Sequence, residues 1–105
     1  MTRIGFTFKI KPEFKDEYKK AHDEIWPEQV KALRDSGFKN YASFFSKDGT
    51  IFNYLETDDF EKTLNNLSKM ESNTRWQKFM DKYFVKEDNS KVGPDIIMLE
   101  EVYHL

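Results

Sequence analysis

The fold is decided first by the stretch Ile4-Gly5-Phe6-Thr7-Phe8-Lys9-Ile10-Lys11-Pro12-Glu13-Phe14, in which one pattern of apolar residues gives way to another. Up to Ile10 the apolar residues alternate with small or polar ones, which predicts a half-buried strand. Pro12 suits the first turn of a helix, because the N–H that it lacks would have no partner there. From Phe14 to Ile25 the apolar residues follow helical spacing. The chain therefore opens with a strand that leads into a helix.

The rest of the chain repeats this alternation of strands and helices. Pro27 predicts a kink or break at Trp26, because the residue before a proline avoids the α region. A second helical piece is expected to end at Gly37, a good residue for a helix C-terminus. Lys47-Asp48-Gly49 is a hairpin turn signal. The turn and helix signals delimit predicted strands over 38–45 and 51–56, helices over 60–67 and 72–83, a loop over 85–94 and a closing strand over 96–104.

The element order βαββαβ predicts an α+β fold of the ferredoxin-like type. This fold is a four-stranded antiparallel sheet with helices on one face, and residues 1–105 are expected to form a single domain of this kind. The other sheet face would be bare in a monomer. Strands that carry Phe and Tyr on a solvent-facing surface risk aggregation, so we expect a homodimer that buries this face.

Composition excludes several classes of function. The formal net charge is −2, with charges of both signs interleaved, so no basic surface for nucleic acid is expected. The chain has no cysteine, which excludes disulfides and thiolate metal sites. No apolar run approaches the length needed to span a membrane, and the N-terminus lacks a signal-peptide profile. A cytoplasmic protein is therefore expected.

His22 is the first candidate for chemistry, because it is one of only two histidines and lies on the apolar side of a predicted helix. Tyr18 precedes it by one turn, so both side chains leave the same face. A group that titrates near neutrality beside a phenol suits polar, uncharged ligands such as sugars. The alternative is a partly buried histidine with only a structural role.

Tyr18, Tyr41 and Trp76 form a second candidate group. Each alone could be a core residue, but together they supply flat apolar faces with polar edges, which suit a pyranose. Arg75 is interpreted as a surface or capping cation, and Glu101 either as a functional acceptor or as the partner of a basic group. His104 is assigned no role. No metal site is predicted, because no ligand cluster with the right spacing occurs.

The sequence resembles the L-rhamnose mutarotase family over nearly the whole chain, from Arg3 to Leu105. The resemblance rests on a combination of short motifs in one order. These motifs are Tyr18-x-x-x-His22, Ile25-Trp26-Pro27-Glu28, Asn40-Tyr41, Thr74-Arg75-Trp76 up to Met80, and Leu99-Glu100-Glu101-Val102-Tyr103. Each piece alone is weak, and the combination is specific.

The resemblance implies a dimeric ferredoxin-like α/β-barrel and an isomerase that interconverts the α and β anomers of L-rhamnopyranose without a cofactor. His22 matches the proton donor of the family, and Tyr18, Tyr41 and Trp76 match residues that bind the sugar. Gln77 stands where the family has the second of two tandem tryptophans, and it is assigned to substrate binding with the sugar preference left open.

Three alternatives to L-rhamnose mutarotation remain. They are a mutarotase for another 6-deoxy sugar such as L-fucose, a monooxygenase on the same dimeric scaffold, and a sugar-binding regulator without catalysis. The monooxygenase interpretation rests on fold analogy alone, and a fold does not establish a function.

Overall fold

The computed structural model describes all 105 residues. In chain order the strands are β1 (Thr2–Ile10), β2 (Lys39–Phe45), β3 (Thr50–Thr57), β4 (Phe84–Val85) and β5 (Ile97–Leu99). The helices are α1 (Lys15–Asp23), α2 (Pro27–Ser36), α3 (Phe60–Ser68) and α4 (Glu71–Met80). Short 3₁₀ turns at Pro12–Phe14 and Asp81–Tyr83 precede α1 and follow α4.

The sheet has the order β2-β3-β1-β4, and β5 also pairs with β1, all antiparallel. The fourth position of the sheet is thus shared by two short strands on the same edge of β1, with Ile10 opposite Phe84 and Thr7 opposite Ile97. This arrangement confirms the predicted α+β ferredoxin-like fold with its helices on one face.

The core lies between this sheet and the helices. Phe6, Phe8 and Ile10 alternate along β1 and are at most 6% exposed. Ile51 and Leu55 on β3 occupy the same side, since side chains two residues apart share a face of a strand. Trp76 and Met80 of α4 close the core from the helix layer, with 5% and 1% exposed.

Proline and glycine divide the first helical region as predicted. Trp26 is extended, with φ −62° and ψ 135°, and Pro27 opens α2 as its first residue. The carbonyl of Trp26 accepts from the N–H groups of Gln29 and Val30 at 3.0 and 3.1 Å. Gly37 ends α2 with φ 120°, a backbone conformation that favours glycine.

The closing strand is much shorter than the predicted 96–104. Only Ile97–Leu99 pair with β1, and residues 100–105 lie outside regular structure. Leu99 lies opposite Gly5, so Glu100 to Val102 run alongside the first residues of β1 without backbone pairing, and there Glu101 contacts Arg3 through its side chain. Strand β4 was also not predicted, because its two residues are too few to show the alternation of apolar and polar residues that marks a strand.

The sheet face away from the helices carries exposed apolar side chains, and we call this surface the open face. Thr7 lies opposite Phe52 on one side and Ile97 on the other, so these side chains point away from the buried Phe6 and Phe8. The large apolar members of the open face are Phe44, Phe52, Ile97 and Leu99, which are 65%, 46%, 60% and 47% exposed.

Candidate functional site

All five site residues predicted from the sequence line one cavity of about 250 Å³ between the sheet and the helices. They are Tyr18, His22, Tyr41, Trp76 and Gln77. No Asp, Glu, Lys or Arg lines this cavity, and most of its wall is apolar. Such a cavity suits a small neutral ligand, because no counter-charge is available for an ionic one.

His22 is held by the backbone of its own helix. Its Nδ1 lies 2.9 Å from the carbonyl oxygen of Tyr18, one turn earlier in α1. A carbonyl can only accept, so Nδ1 carries the proton and Nε2 of the neutral ring holds the free lone pair. Burial lowers the pKa of the imidazole below its ordinary value, although the bond to Tyr18 opposes this shift. At neutral pH His22 is therefore a neutral base.

Tyr18 packs its ring against His22, with 4.4 Å between the ring centroids. The residue is 9% exposed, and burial raises the pKa of its hydroxyl, with nearby Tyr41 adding to the shift. The phenol therefore remains protonated at physiological pH and can donate a hydrogen bond.

Tyr41 reaches the site from an irregular position in β2. Pairing with β3 shifts register between Lys39 and Ala42, and Asn40 within this bulge has φ 49°. Bulges redirect side chains and are common beside active sites. Although Tyr41 is 40% exposed, its hydroxyl points inward and donates to Oδ1 of the buried Asn53 at 3.4 Å. Burial raises the pKa of this hydroxyl too.

Trp76 forms the wall opposite Tyr18. Its ring meets His22 edge-on at 5.5 Å and Trp26 edge-on at 5.1 Å between centroids. The break before Pro27 lets Trp26 leave the helical path and support Trp76 from outside. The imidazole of His22 is thus held between two aromatic rings, from Tyr18 and Trp76.

Gln77 is the last predicted site residue, and it shares a hydrogen-bond network with two amides that sequence reasoning missed. Its Nε2 donates to Oδ1 of Asn73 at 3.2 Å, and Nε2 of Gln29 donates to the same oxygen at 2.9 Å. A signal was present, since Gln29 follows Ile25 by four residues and Asn73 precedes Gln77 by four. Polar residues at inward-facing helical positions need a reason.

The segment 92–96 closes one side of the cavity, and Asp81 holds it in place. Oδ1 of Asp81 accepts from the backbone N–H of Gly93 at 3.0 Å and from Nζ of Lys86 at 2.5 Å. Both bonds tie the loop after β4 to the end of α4.

A second cavity of about 550 Å³ adjoins the first between α1 and β2. Tyr18, His22 and Tyr41 line both cavities, whereas Trp76 and Gln77 line only the inner one. The outer cavity carries Lys15, Lys19 and Asp23 at its wall, so charge lies on the solvent side of His22.

The structure places the remaining candidates outside the inner cavity. Arg75 is an exposed cation, with its guanidinium 3.6 Å from Glu28 and over the ring of Trp26. Glu101 accepts from both Nε and Nη2 of Arg3 at 2.7 and 3.1 Å. This pairing lowers the pKa of the Glu101 carboxyl. His104 is exposed.

The structure brings no three His, Cys, Asp or Glu side chains together as a set that could hold a metal ion. None of its helices has the length and apolar character needed to cross a membrane.

Comparisons with known proteins show the family of this chain. The profile of the family described as L-rhamnose mutarotase matches residues 3–105. L-rhamnose mutarotases of Oceanobacillus iheyensis and Lactiplantibacillus plantarum are 39% and 38% identical over 100% of this chain and 99% of each relative. The crystal structure of L-rhamnose mutarotase from Formosa agariphila is similar with a TM-score of 0.84 and 30% identity, over 100% of this chain and 99% of that one.

Proteins of another function share the fold at lower similarity. The crystal structure of an antibiotic biosynthesis monooxygenase is 18% identical with a TM-score of 0.62, over 98% of this chain and 100% of that one. Identity this low shows the fold alone. The full-length match to the family profile and the close relatives decide the assignment: the chain belongs to the L-rhamnose mutarotase family.

Proposed function

We propose that this protein is an isomerase that interconverts the α and β anomers of L-rhamnopyranose in the inner cavity, with His22 as the catalytic residue. The observation that carries the proposal is the environment of His22. A neutral imidazole lies in an uncharged, aromatic-lined cavity, in a chain of the L-rhamnose mutarotase family.

The reaction needs a proton to move between two oxygens of the sugar. Ring opening removes the proton from the anomeric hydroxyl, breaks the bond between C1 and the ring oxygen, and adds a proton to that oxygen. A group that takes the proton from the anomeric hydroxyl and then gives a proton to the ring oxygen returns to its starting protonation state. His22 suits this task because its free Nε2 accepts at neutral pH and its imidazolium then donates.

The aromatic residues bind the sugar in this proposal. Tyr18 and Tyr41 keep their protons, so their hydroxyls donate hydrogen bonds without competing as bases. Trp76 offers an apolar face to the C–H groups of the pyranose. Gln77 presents an amide to the sugar at the position where the family has a second tryptophan. Rotation about the C1–C2 bond of the open sugar, followed by closure, then gives the other anomer.

The test is anomer exchange measured by saturation-transfer NMR on L-rhamnose, with L-fucose in parallel. The proposal predicts that the protein speeds exchange of L-rhamnose well above the rate in buffer alone. Binding without faster exchange would instead indicate a sugar-binding regulator. A monooxygenase that handles haem would show a spectral change on titration with haem, and we expect none.

We further propose that the protein acts as a homodimer joined through the open face. Support comes from the exposed side chains of Phe44, Phe52, Ile97 and Leu99, which lie on one face of the sheet across β2, β3 and β5. Patches of this kind on one face of a sheet are typical of interfaces. The cytoplasmic location expected from the sequence stays a prediction, which cell fractionation would check.

A further inference from the structure

Three amide side chains join α2 to α4 along one wall of the inner cavity, and we call Gln29, Asn73 and Gln77 the amide triad. Oδ1 of Asn73 is the shared acceptor, receiving Nε2 of Gln29 and Nε2 of Gln77. Gln29 is only 1% exposed and Asn73 only 9%. The amide triad is therefore a buried polar network in a wall that is otherwise mainly apolar.

The network is incomplete at both ends. Oε1 of Gln29 and Oε1 of Gln77 are buried, and neither has a hydrogen-bond donor in the protein. Buried polar groups are almost always paired, because an unpaired acceptor has lost water and gained nothing in return. Two such oxygens on one network, in residues that line one cavity, indicate that their partners come from a ligand.

The surroundings restrict the kind of ligand. The cavity holds no carboxylate to pair with a cation and no lysine or arginine to pair with an anion. The missing partners are therefore neutral donors, and hydroxyl groups fit because each can donate here and accept elsewhere. The terminal torsion of a glutamine is soft, so a modest rotation turns its oxygen toward a ligand.

Gly93 leaves room above one of these oxygens. A Cβ built on Gly93 would lie 3.7 Å from Oε1 of Gln77, with no other neighbour within 4 Å. The segment over the cavity thus approaches the amide of Gln77 without a side chain in between. Oε1 of Gln77 is itself shielded in this conformation, so the amide must rotate before a ligand group can reach the oxygen.

We propose that the amide triad is a specificity element of the sugar cavity, in which Oε1 of Gln29 and Oε1 of Gln77 each accept a hydrogen bond from a hydroxyl of the bound sugar. This inference rests on the proposed function, and it adds the residues that select the sugar. The favoured ligand is a pyranose that presents two hydroxyl donors along the α2–α4 wall. An apolar side chain at position 77 would not recognise such a ligand.

The test compares L-rhamnose affinity, measured by NMR titration, in wild type, Gln29→Met, Gln77→Met and the control Lys78→Met. Lys78 is exposed on the same helix, so its replacement should leave affinity unchanged. Each glutamine variant should bind about 3- to 10-fold more weakly, the range for one neutral hydrogen bond. In exchange kinetics KM should rise with little change in kcat, because binding rather than proton transfer is altered.

Stability separates recognition from a structural role. Methionine removes a buried unpaired oxygen together with one of the two donors to Oδ1 of Asn73, which keeps the other donor, so the melting temperature should change little while the affinity falls. A loss of stability with unchanged affinity in both variants would overturn the proposal.

A ligand series on the wild-type protein gives a second, independent test. Among the 2-, 3- and 4-deoxy derivatives of L-rhamnose, those that lack a triad-bound hydroxyl should bind wild type more weakly. In the variant that lacks the glutamine concerned, the same derivative should bind no more weakly than L-rhamnose does. This is required if the glutamine oxygen and the missing hydroxyl interact with each other. If every deoxy sugar binds wild type as well as L-rhamnose does, the amide triad reads no hydroxyl.

The two proposals fail in different ways. Sugar binding that depends on the amide triad, without faster anomer exchange, would remove the mutarotase function and keep the recognition element. Faster exchange with unchanged affinity in both glutamine variants would keep the mutarotase function and remove the recognition element.

Discussion

Substitution of Phe52 by aspartate should separate the proposed dimer into monomers. Phe52 lies in the middle strand β3 of the open face and is 46% exposed. An aromatic residue offers roughly 200 Å² when fully exposed, so each copy has about 90 Å² of Phe52 available for burial. A two-fold interface uses the residue twice, which gives about 180 Å² and, at about 25 cal/mol per Å², about 4 to 5 kcal/mol.

The consequence is a weakening of about 1,000-fold in the dimer dissociation constant, before the cost of burying a carboxylate is added. Sedimentation velocity should show wild type as a dimer at micromolar concentration and Phe52→Asp as a monomer. Phe79→Asp is the matched control, because Phe79 is 41% exposed but lies on α4 in the helix layer. Circular dichroism would verify that both variants are folded. A monomeric wild type, or a Phe52→Asp protein that stays dimeric, would refute the reasoning.

Two further predictions concern pH and backbone strain. Burial lowers the pKa of His22, so the exchange rate should be independent of pH near neutrality. The rate should fall in acid with a midpoint below about 6.5, as the imidazole becomes protonated. An acid midpoint above this value in the pH–rate profile would contradict the environment assigned to His22. Gly49→Ala should lower the free energy of unfolding in urea by more than about 2 kcal/mol, because Gly49 has φ 94° and its added Cβ would lie 2.3 Å from the carbonyl oxygen of Ile10. Gly5→Ala, whose Cβ would meet nothing nearer than 3.7 Å, is the control and should change stability by less than about 1 kcal/mol; equal effects of both substitutions would contradict the strain argument.

Local signals in the sequence were sufficient for most of the fold. The alternation from Ile4 to Ile10 and the hairpin signal at Gly49 depend on neighbouring residues only, and both predicted elements are present. The break before Pro27 follows from a steric rule that acts within one residue. These features survive folding because tertiary contacts do not oppose them.

The chain end could not be predicted in the same way. The apolar residues from Ile96 onward are as suited to a strand as those of β1. Whether they form one depends on pairing with β1, and only Gly5 to Thr7 pair with this segment. The extent of the strand is set by contacts with a segment about 90 residues away in sequence, which no local pattern reports.

The site was predicted in part for a related reason. His22 and Tyr18 share one helix, so their spacing alone indicated that they lie together. The amide triad joins Gln29 to Asn73 across 44 positions of sequence, and nothing local to either residue indicates the contact. The incomplete pairing of two oxygens also becomes visible only when burial is known.

The central claim, that His22 moves the proton in anomer exchange, is tested most directly by saturation-transfer NMR on L-rhamnose with wild type and His22→Ala. The substitution leaves the other cavity residues in place, and circular dichroism would show that the protein is folded. Because positioned acid–base groups typically contribute about 10²–10⁴-fold, catalysed exchange in His22→Ala should fall by this factor toward the rate in buffer. Near-normal exchange by a folded His22→Ala protein would contradict the assignment.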